Sequence, residues 1–362
     1  MRIITSIILI SLMSMSGLAV SGLEGHKWEW PRSTPEEQDL DGNRLKGLVD
    51  LIREGEQFPR LNSLLIVRNG ILVTEEYFRT FKKNRLHTLQ SVSKSFTSAL
   101  IGIALHRGEL KSTKEKILDF FPDRDSIENL DERKKAIRIR DLLTMRSGTD
   151  YREDYADSPH HQLNRLQTGW DKFYLNRKMI SQPGTSFLYD SGGVILLSSL
   201  LKIRTGMHAD EYAQKFLFTP LEIDHFSWLK NKEGHPHTGG GLYLEPLDMA
   251  KFGQLFLQKG QWLGKQVVPK SWVEVSFKKH VDFKSGNSST IGYGYLWWIL
   301  KPDPKGKGKE NIYAAMGFKA QYIFVIPEHR MVVVVTGDTR SRTDQRKPIE
   351  FLYSHILPSI LK

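Results

Sequence analysis

The chain has 362 residues, with 52 lysines and arginines against 41 aspartates and glutamates, giving a formal net charge of +11. It has no cysteine, which excludes disulfides, thiolate metal sites and a lipidated cysteine anchor. No arginine–aromatic recognition pattern accompanies the charge, so nucleic acid is not an expected partner, whereas anionic envelope polymers are.

Met1-Arg2, an apolar run from Ile3 to Leu12 and a small-residue exit at Ala19-Val20-Ser21 come first. One positive charge, a short apolar stretch and that exit read as a secretory signal peptide over residues 1–21. The run is too short for a stable membrane span, so no transmembrane anchor is expected after cleavage. Export to the periplasm or beyond is therefore expected, with residues 22–362 forming one domain. Within it, Leu64 to Thr74 reads as a hairpin around Asn69-Gly70. Helical spacing then predicts helices near 92–107, 139–145, 193–205, 209–217, 247–259 and 270–277. Lys301 to Lys309 reads as a charged loop. A second hairpin pairs Gln321–Ile326 with Met331–Val335 across Pro327-Glu328-His329-Arg330, and Pro348 to Leu357 carries a helical pattern. Strand-rich ends around a helical middle predict an α/β (α+β) fold. Its antiparallel sheet is built from both chain ends (about 22–90 and 290–362) and flanked by helices, with a mostly helical insert over about 91–289.

Chemistry concentrates at Ser91 and Lys94. Spacing i to i+3 places both side chains on one helical face, where an amine can take a hydroxyl proton. Ser-x-x-Lys also begins at Ser199, Ser227, Ser276 and Ser359, so the pattern alone does not discriminate. The first copy differs in context. From Val92 the apolar positions Phe96, Ala99, Leu100, Ile103 and Ala104 describe a core helix, with Gly108 as its stop. Ser91 stands at its beginning, where free N–H groups favour developing negative charge. The alternative is that Ser91 caps the helix and Lys94 is a solvated first-turn residue. Further along, Tyr189-Asp190-Ser191 leads into a helix; Tyr189 beside a lysine can relay a proton, or it is a buried aromatic with Ser191 as a cap. The start of Tyr313-Ala314-Ala315-Met316-Gly317-Phe318 can supply a backbone N–H to an oxyanion hole. No Gly-x-Ser-x-Gly or His-Glu-x-x-His occurs, and His160, His161, His235 and His237 read as solvated loop residues. Neither a metal nor an organic cofactor is expected.

These segments, with Ile139–Gly148, Thr238–Tyr243 and Tyr293–Trp298, resemble the serine β-lactamase and penicillin-binding-protein superfamily. Its boxes are Ser-x-x-Lys, Tyr-x-Asn and Lys-Thr-Gly or His-x-Gly. The resemblance implies a β-lactamase/transpeptidase-like fold and a serine hydrolase. Ser91 is then the nucleophile, Lys94 the base and Tyr189 the relay, and the Ser91 and Phe318 N–H groups form the oxyanion hole. Two boxes depart from the pattern: Ser191 replaces asparagine, and Ala315-Met316-Gly317 lacks the cation or imidazole that helps hold a β-lactam carboxylate. Tyr-x-Ser is similar to the nylon-oligomer (6-aminohexanoate) hydrolases and related carboxylesterases. That similarity implies a small ester or amide substrate met by Tyr155, Ser191, Ala315 and Gly317. An inactive envelope-binding protein, or a D-aminopeptidase or penicillin-binding activity, are the alternatives.

Overall fold

The computed structural model describes residues 28–123, 126–283, 289–302 and 310–361. The expected signal peptide (1–21) and the loop over 303–309 lie outside them. Helix α1 (Gly42–Glu54) precedes β1 (Leu61–Arg68) and β2 (Ile71–Tyr77), and β3 (His87–Thr88) leads into α2 (Ser93–His106). The middle of the chain holds α3 (Glu132–Ala136), α4 (Ile139–Leu143), α5 (Pro159–Arg165), α6 (Trp170–Leu175), α7 (Ser191–Thr205) and α8 (Ala209–Ala213). Next come β4 (Phe226–Trp228), β5 (Leu242–Leu244), α9 (Pro246–Leu257), β6 (Gln261–Trp262), β7 (Lys265–Gln266) and α10 (Lys270–Phe277). The chain closes with β8 (Val281–Asp282), β9 (Thr290–Tyr293), β10 (Trp298–Leu300), β11 (Ile312–Gly317), β12 (Gln321–Ile326), β13 (Met331–Gly337) and α11 (Lys347–Phe351).

The main sheet runs β2-β1-β13-β12-β11-β10-β9-β8, with every neighbouring pair antiparallel. The two chain ends meet where β1 pairs with β13. At the β1–β2 turn, Asn69 and Gly70 have φ of 53° and 80°, the left-handed pair that a tight twisted hairpin requires. Side chains alternate between two cores because successive Cβ atoms point to opposite faces. Leu65, Val67, Ile323, Val325, Val332 and Val334 face the helical layer. Leu64, Ile66, Phe324, Val333 and Val335 face α1 and the C-terminal helix. Burial on both faces explains why β13 reads as an uninterrupted valine run instead of an alternating one.

The expected architecture is therefore present: a mixed α/β fold with a large antiparallel sheet flanked by helices. One boundary moves. The sheet begins its return at Val281, ahead of 290, because β8 is a two-residue edge strand too short for a periodic signal. Three short strands, β3, β5 and β4, also form a separate small sheet within the helical region.

Helix α2 is apolar nearly all round and lies in the main core, every residue from Ser93 to Ala104 being buried. Its close approach to α10 depends on Gly102, where an added Cβ would sit 2.2 Å from Trp272 Cγ. Gly102→Ala should therefore lower the unfolding free energy by about 1–3 kcal/mol in urea titrations, as overpacked cores do. An unchanged midpoint would mean that this contact relaxes freely.

Candidate active site

Ser91 lies in a tight turn, Gln90–Val92, directly before α2. Gln90 takes a positive φ of 47°, an uncommon backbone state for a non-glycine residue, and thereby presents Ser91 to the cavity. The turn is tied to β5 from both sides. Leu89 N–H donates to the Leu242 carbonyl (2.8 Å), and Leu242 N–H donates to Ser93 Oγ (3.2 Å). Ser95 Oγ donates to the Leu296 carbonyl (2.7 Å), fixing the first turn of α2.

Lys94 Nζ lies 2.8 Å from Ser91 Oγ and 2.5 Å from the Gly239 carbonyl, and the residue is 1% exposed. It is not solvated, so the bland reading of this lysine is set aside. Burial pulls its pKa down to about 8, against the opposing pull of Glu153 and Asp190. The Tyr189 ring stands 4.8 Å from Nζ and stacks on Trp298. Its phenol is pushed up, first by burial and then by Glu153, while a hydrogen bond with Ser91 works the other way. Ser91, Lys94 and Tyr189 thus converge on one point.

The remaining expected residues divide. Ser191 opens α7 and lines the cavity, but the side chain capping that helix is Asp190, which accepts from Gly193 N–H (2.8 Å). Asp190 also accepts from Tyr174 Oη (2.5 Å) and Ser147 Oγ (3.0 Å), and its burial raises it to about 6. Gly317 abuts the nucleophile turn so closely that a Cβ would lie 2.5 Å from the Leu89 carbonyl and 3.1 Å from Ser91 N. Phe318, next in line, borders the cavity. Ala315 is buried against the helical layer and Tyr155 is exposed; neither lines the cavity.

That cavity, about 610 Å³, is also lined by side chains to which the sequence assigned no role in a site. Glu153 Oε1 accepts from Ser191 N–H at 2.6 Å. His160 and His237 line the same space and are joined through Asn164. Its Nδ2 lies 3.1 Å from His160 Nε2, and its Oδ1 lies 2.9 Å from His237 Nε2. Expected as solvated loop residues, these imidazoles are instead part of the cavity wall. Burial lowers both, His237 to about 3, so they are neutral at physiological pH. The one local cue was that His237 immediately precedes Thr238-Gly239-Gly240-Gly241. Among the described residues, no group of three His, Asp or Glu side chains is arranged to hold a metal ion.

The sequence profile of the Beta-lactamase family matches residues 49–351. The chain belongs to that family. Among its relatives is the 6-aminohexanoate-dimer hydrolase of Paenarthrobacter ureafaciens, 23% identical over 292 residues, covering 75% of this chain and 71% of the relative. The family fold is shared with a penicillin-binding protein from Bacillus halodurans (TM-score 0.66, 18% identity, 84% of this chain and 100% of that one). It is also shared with EstCE1, described as a hydrolase with promiscuous acyltransferase activity (TM-score 0.72, 15% identity, 91% of this chain and 99% of that one).

Lys94 carries a checkable signature of its buried state. Its folded pKa, about 8, lies below the ordinary 10.5, so its stabilising contribution is present above 10.5 and lost as pH falls through 8. Relative to Lys94→Met, the wild type should gain about 3 kcal/mol of unfolding free energy between those two pH values, measured by urea unfolding. A difference that stays flat with pH would mean the amine is solvated.

Proposed function

We propose that this family member is a serine hydrolase that cleaves esters or amides through an acyl-Ser91 intermediate. The observation that carries the reading is the 2.8 Å contact between Ser91 Oγ and a buried lysine amine lowered to about 8. A neutral Lys94 accepts the Ser91 proton as Oγ attacks the carbonyl carbon. The negative charge that develops on the carbonyl oxygen is met by the N–H groups of Ser91 and Phe318. Tyr189, held as the neutral phenol, hands a proton to the departing oxygen or nitrogen and is recharged from Lys94. Water then repeats the sequence on the acyl-enzyme and frees the acid. The opposed environments support this division of labour: Lys94 is pulled toward its neutral form, whereas Tyr189 is kept protonated. Hydrolase relatives named for an amide dimer and for acyl transfer are consistent with it. In the same proposal, residues 1–21 direct export and the basic surface meets anionic envelope polymers.

Substrate class follows from the third box. The third box supplies no cation, since Ala315 is an alanine buried off the cavity wall, and Lys230, a lysine that does line the cavity, is engaged by Asp210 at 2.5 Å. Short aryl esters and linear amides fit this wall better than penicillins.

Two outcomes are expected. Ser91→Ala should abolish fluorophosphonate labelling with stability changed by no more than about 1 kcal/mol. Lys94→Ala and Tyr189→Phe should each cost roughly two orders of magnitude in kcat/KM, with a double variant far from additive. Labelling that survives in Ser91→Ala would point to another nucleophile, and a wild type that takes no label would leave the inactive, polymer-binding alternative. Separately, kcat/KM for phenyl acetate should exceed that for benzylpenicillin or a cephalosporin; the reverse order would point to a β-lactamase with a relocated carboxylate anchor.

A further inference from the structure

Glu153 is placed in the cavity by the chain that folds over the start of α7. Its Oε1 is fixed by Ser191 N–H at 2.6 Å, which holds the carboxylate beside the nucleophile's cavity. Among the described residues, no lysine or arginine forms an ion pair with it: neighbouring Arg152 pairs with Asp154, and Lys230 pairs with Asp210. Glu153 favours the protonated form of Lys94, whose Nζ reaches the cavity-lining Ser91 Oγ at 2.8 Å. The other groups facing Lys94 are Asp190, the Tyr189 phenol and the neutral imidazoles of His160 and His237. Asp190 is closed off by three donors and does not line the cavity, so it cannot meet a substrate. Glu153 also faces Tyr151, Tyr189 and Tyr293, none of which supplies positive charge.

This arrangement contains a conflict. Acylation requires a neutral Lys94, yet losing that proton leaves Glu153 as an uncompensated carboxylate in a half-enclosed cavity. A fixed positive charge on the substrate resolves it. Seated against Glu153, that charge replaces the lysine as counter-ion and repels the Lys94 ammonium, whose proton then passes to bulk solvent.

We infer that Glu153 selects substrates carrying a positive charge on the acyl side, and that the bound charge switches Lys94 to its neutral, base-competent form. Glu153 is thus a specificity residue that couples substrate charge to the protonation of the base. The inference rests on the serine-hydrolase reading above for its role in turnover, although the coupling itself can be measured without turnover.

The test uses an isosteric pair of phenyl esters, of 4-(trimethylammonio)butanoate and of 5,5-dimethylhexanoate. They differ in a nitrogen cation against a carbon, and neither titrates. The wild type should favour the cationic ester by about tenfold or more in kcat/KM. The acidic limb of kcat, which reports the enzyme–substrate complex, should lie about one pH unit lower for it. Glu153→Gln keeps an oxygen for Ser191 N–H, and both differences should vanish in it. A residue that merely held Ser191 in place would alter rates without changing charge selectivity or the limb. In parallel, Ser91→Ala is titrated calorimetrically near pH 8 with the two corresponding amides, in buffers of different ionisation enthalpy. The cationic amide should bind with release of part of a proton, and Glu153→Gln in the Ser91→Ala background should remove both binding preference and release. Equal kcat/KM for the two esters, selectivity that survives Glu153→Gln, or cation binding without proton release would each overturn the inference. If neither ester is turned over, the hydrolase reading fails, while the calorimetry still decides the coupling.

Discussion

The amine of Lys94 has been taken out of water and given one carbonyl and one hydroxyl for company, and much of the molecule is arranged around that act. A buried ammonium costs several kcal/mol unless paired or neutralised. Here the surroundings do both in part: Gly239 and Ser91 accept its hydrogen bonds, while Glu153 and Asp190 oppose its neutralisation. To hold the amine there, α2 must be a core helix, β5 must run beside its first turn, and the Thr238–Gly241 segment must approach closely. The contact of Thr97 Oγ1 with the Thr238 carbonyl (3.1 Å) and the ties of Leu89 and Ser93 to Leu242 are the means.

Much of the fold was legible because its signals are local. Asn69-Gly70 and Pro327–Arg330 each sit between apolar runs, so both hairpins are apparent without any knowledge of the sheet. The core helix after Ser91 announces itself through apolar residues on every face. Two-residue strands carry no such signal, which is why β8 escaped and the sheet boundary shifted. The site was legible only where its chemistry falls within one turn or one short box. Glu153 is separated from Ser191 by 38 positions, and His160 from His237 by still more, with Asn164 bridging the two rings. Those contacts exist because α5 and the glycine-rich segment fold over the same cavity, and that is a property of tertiary packing.

Tyr155 stands apart from these residues. Similarity of the surrounding residues suggested a substrate contact, yet its side chain is 49% exposed and lies off the cavity wall. Ala315 is subtler. Strand alternation aims it at the helical layer, the side from which the cavity opens, but a methyl group there brings no charge. The third box thus carries no cation, while the carboxylate of Glu153 lines the cavity.

The central claim is that Lys94 can be neutral near physiological pH while every ordinary lysine is charged. Titrating ¹³C-labelled lysine ε-methylenes by NMR tests it most directly, with Lys94→Met assigning the resonance. The account predicts a midpoint at about 8 for Lys94. A resonance that stays that of an ammonium beyond pH 10 would contradict it.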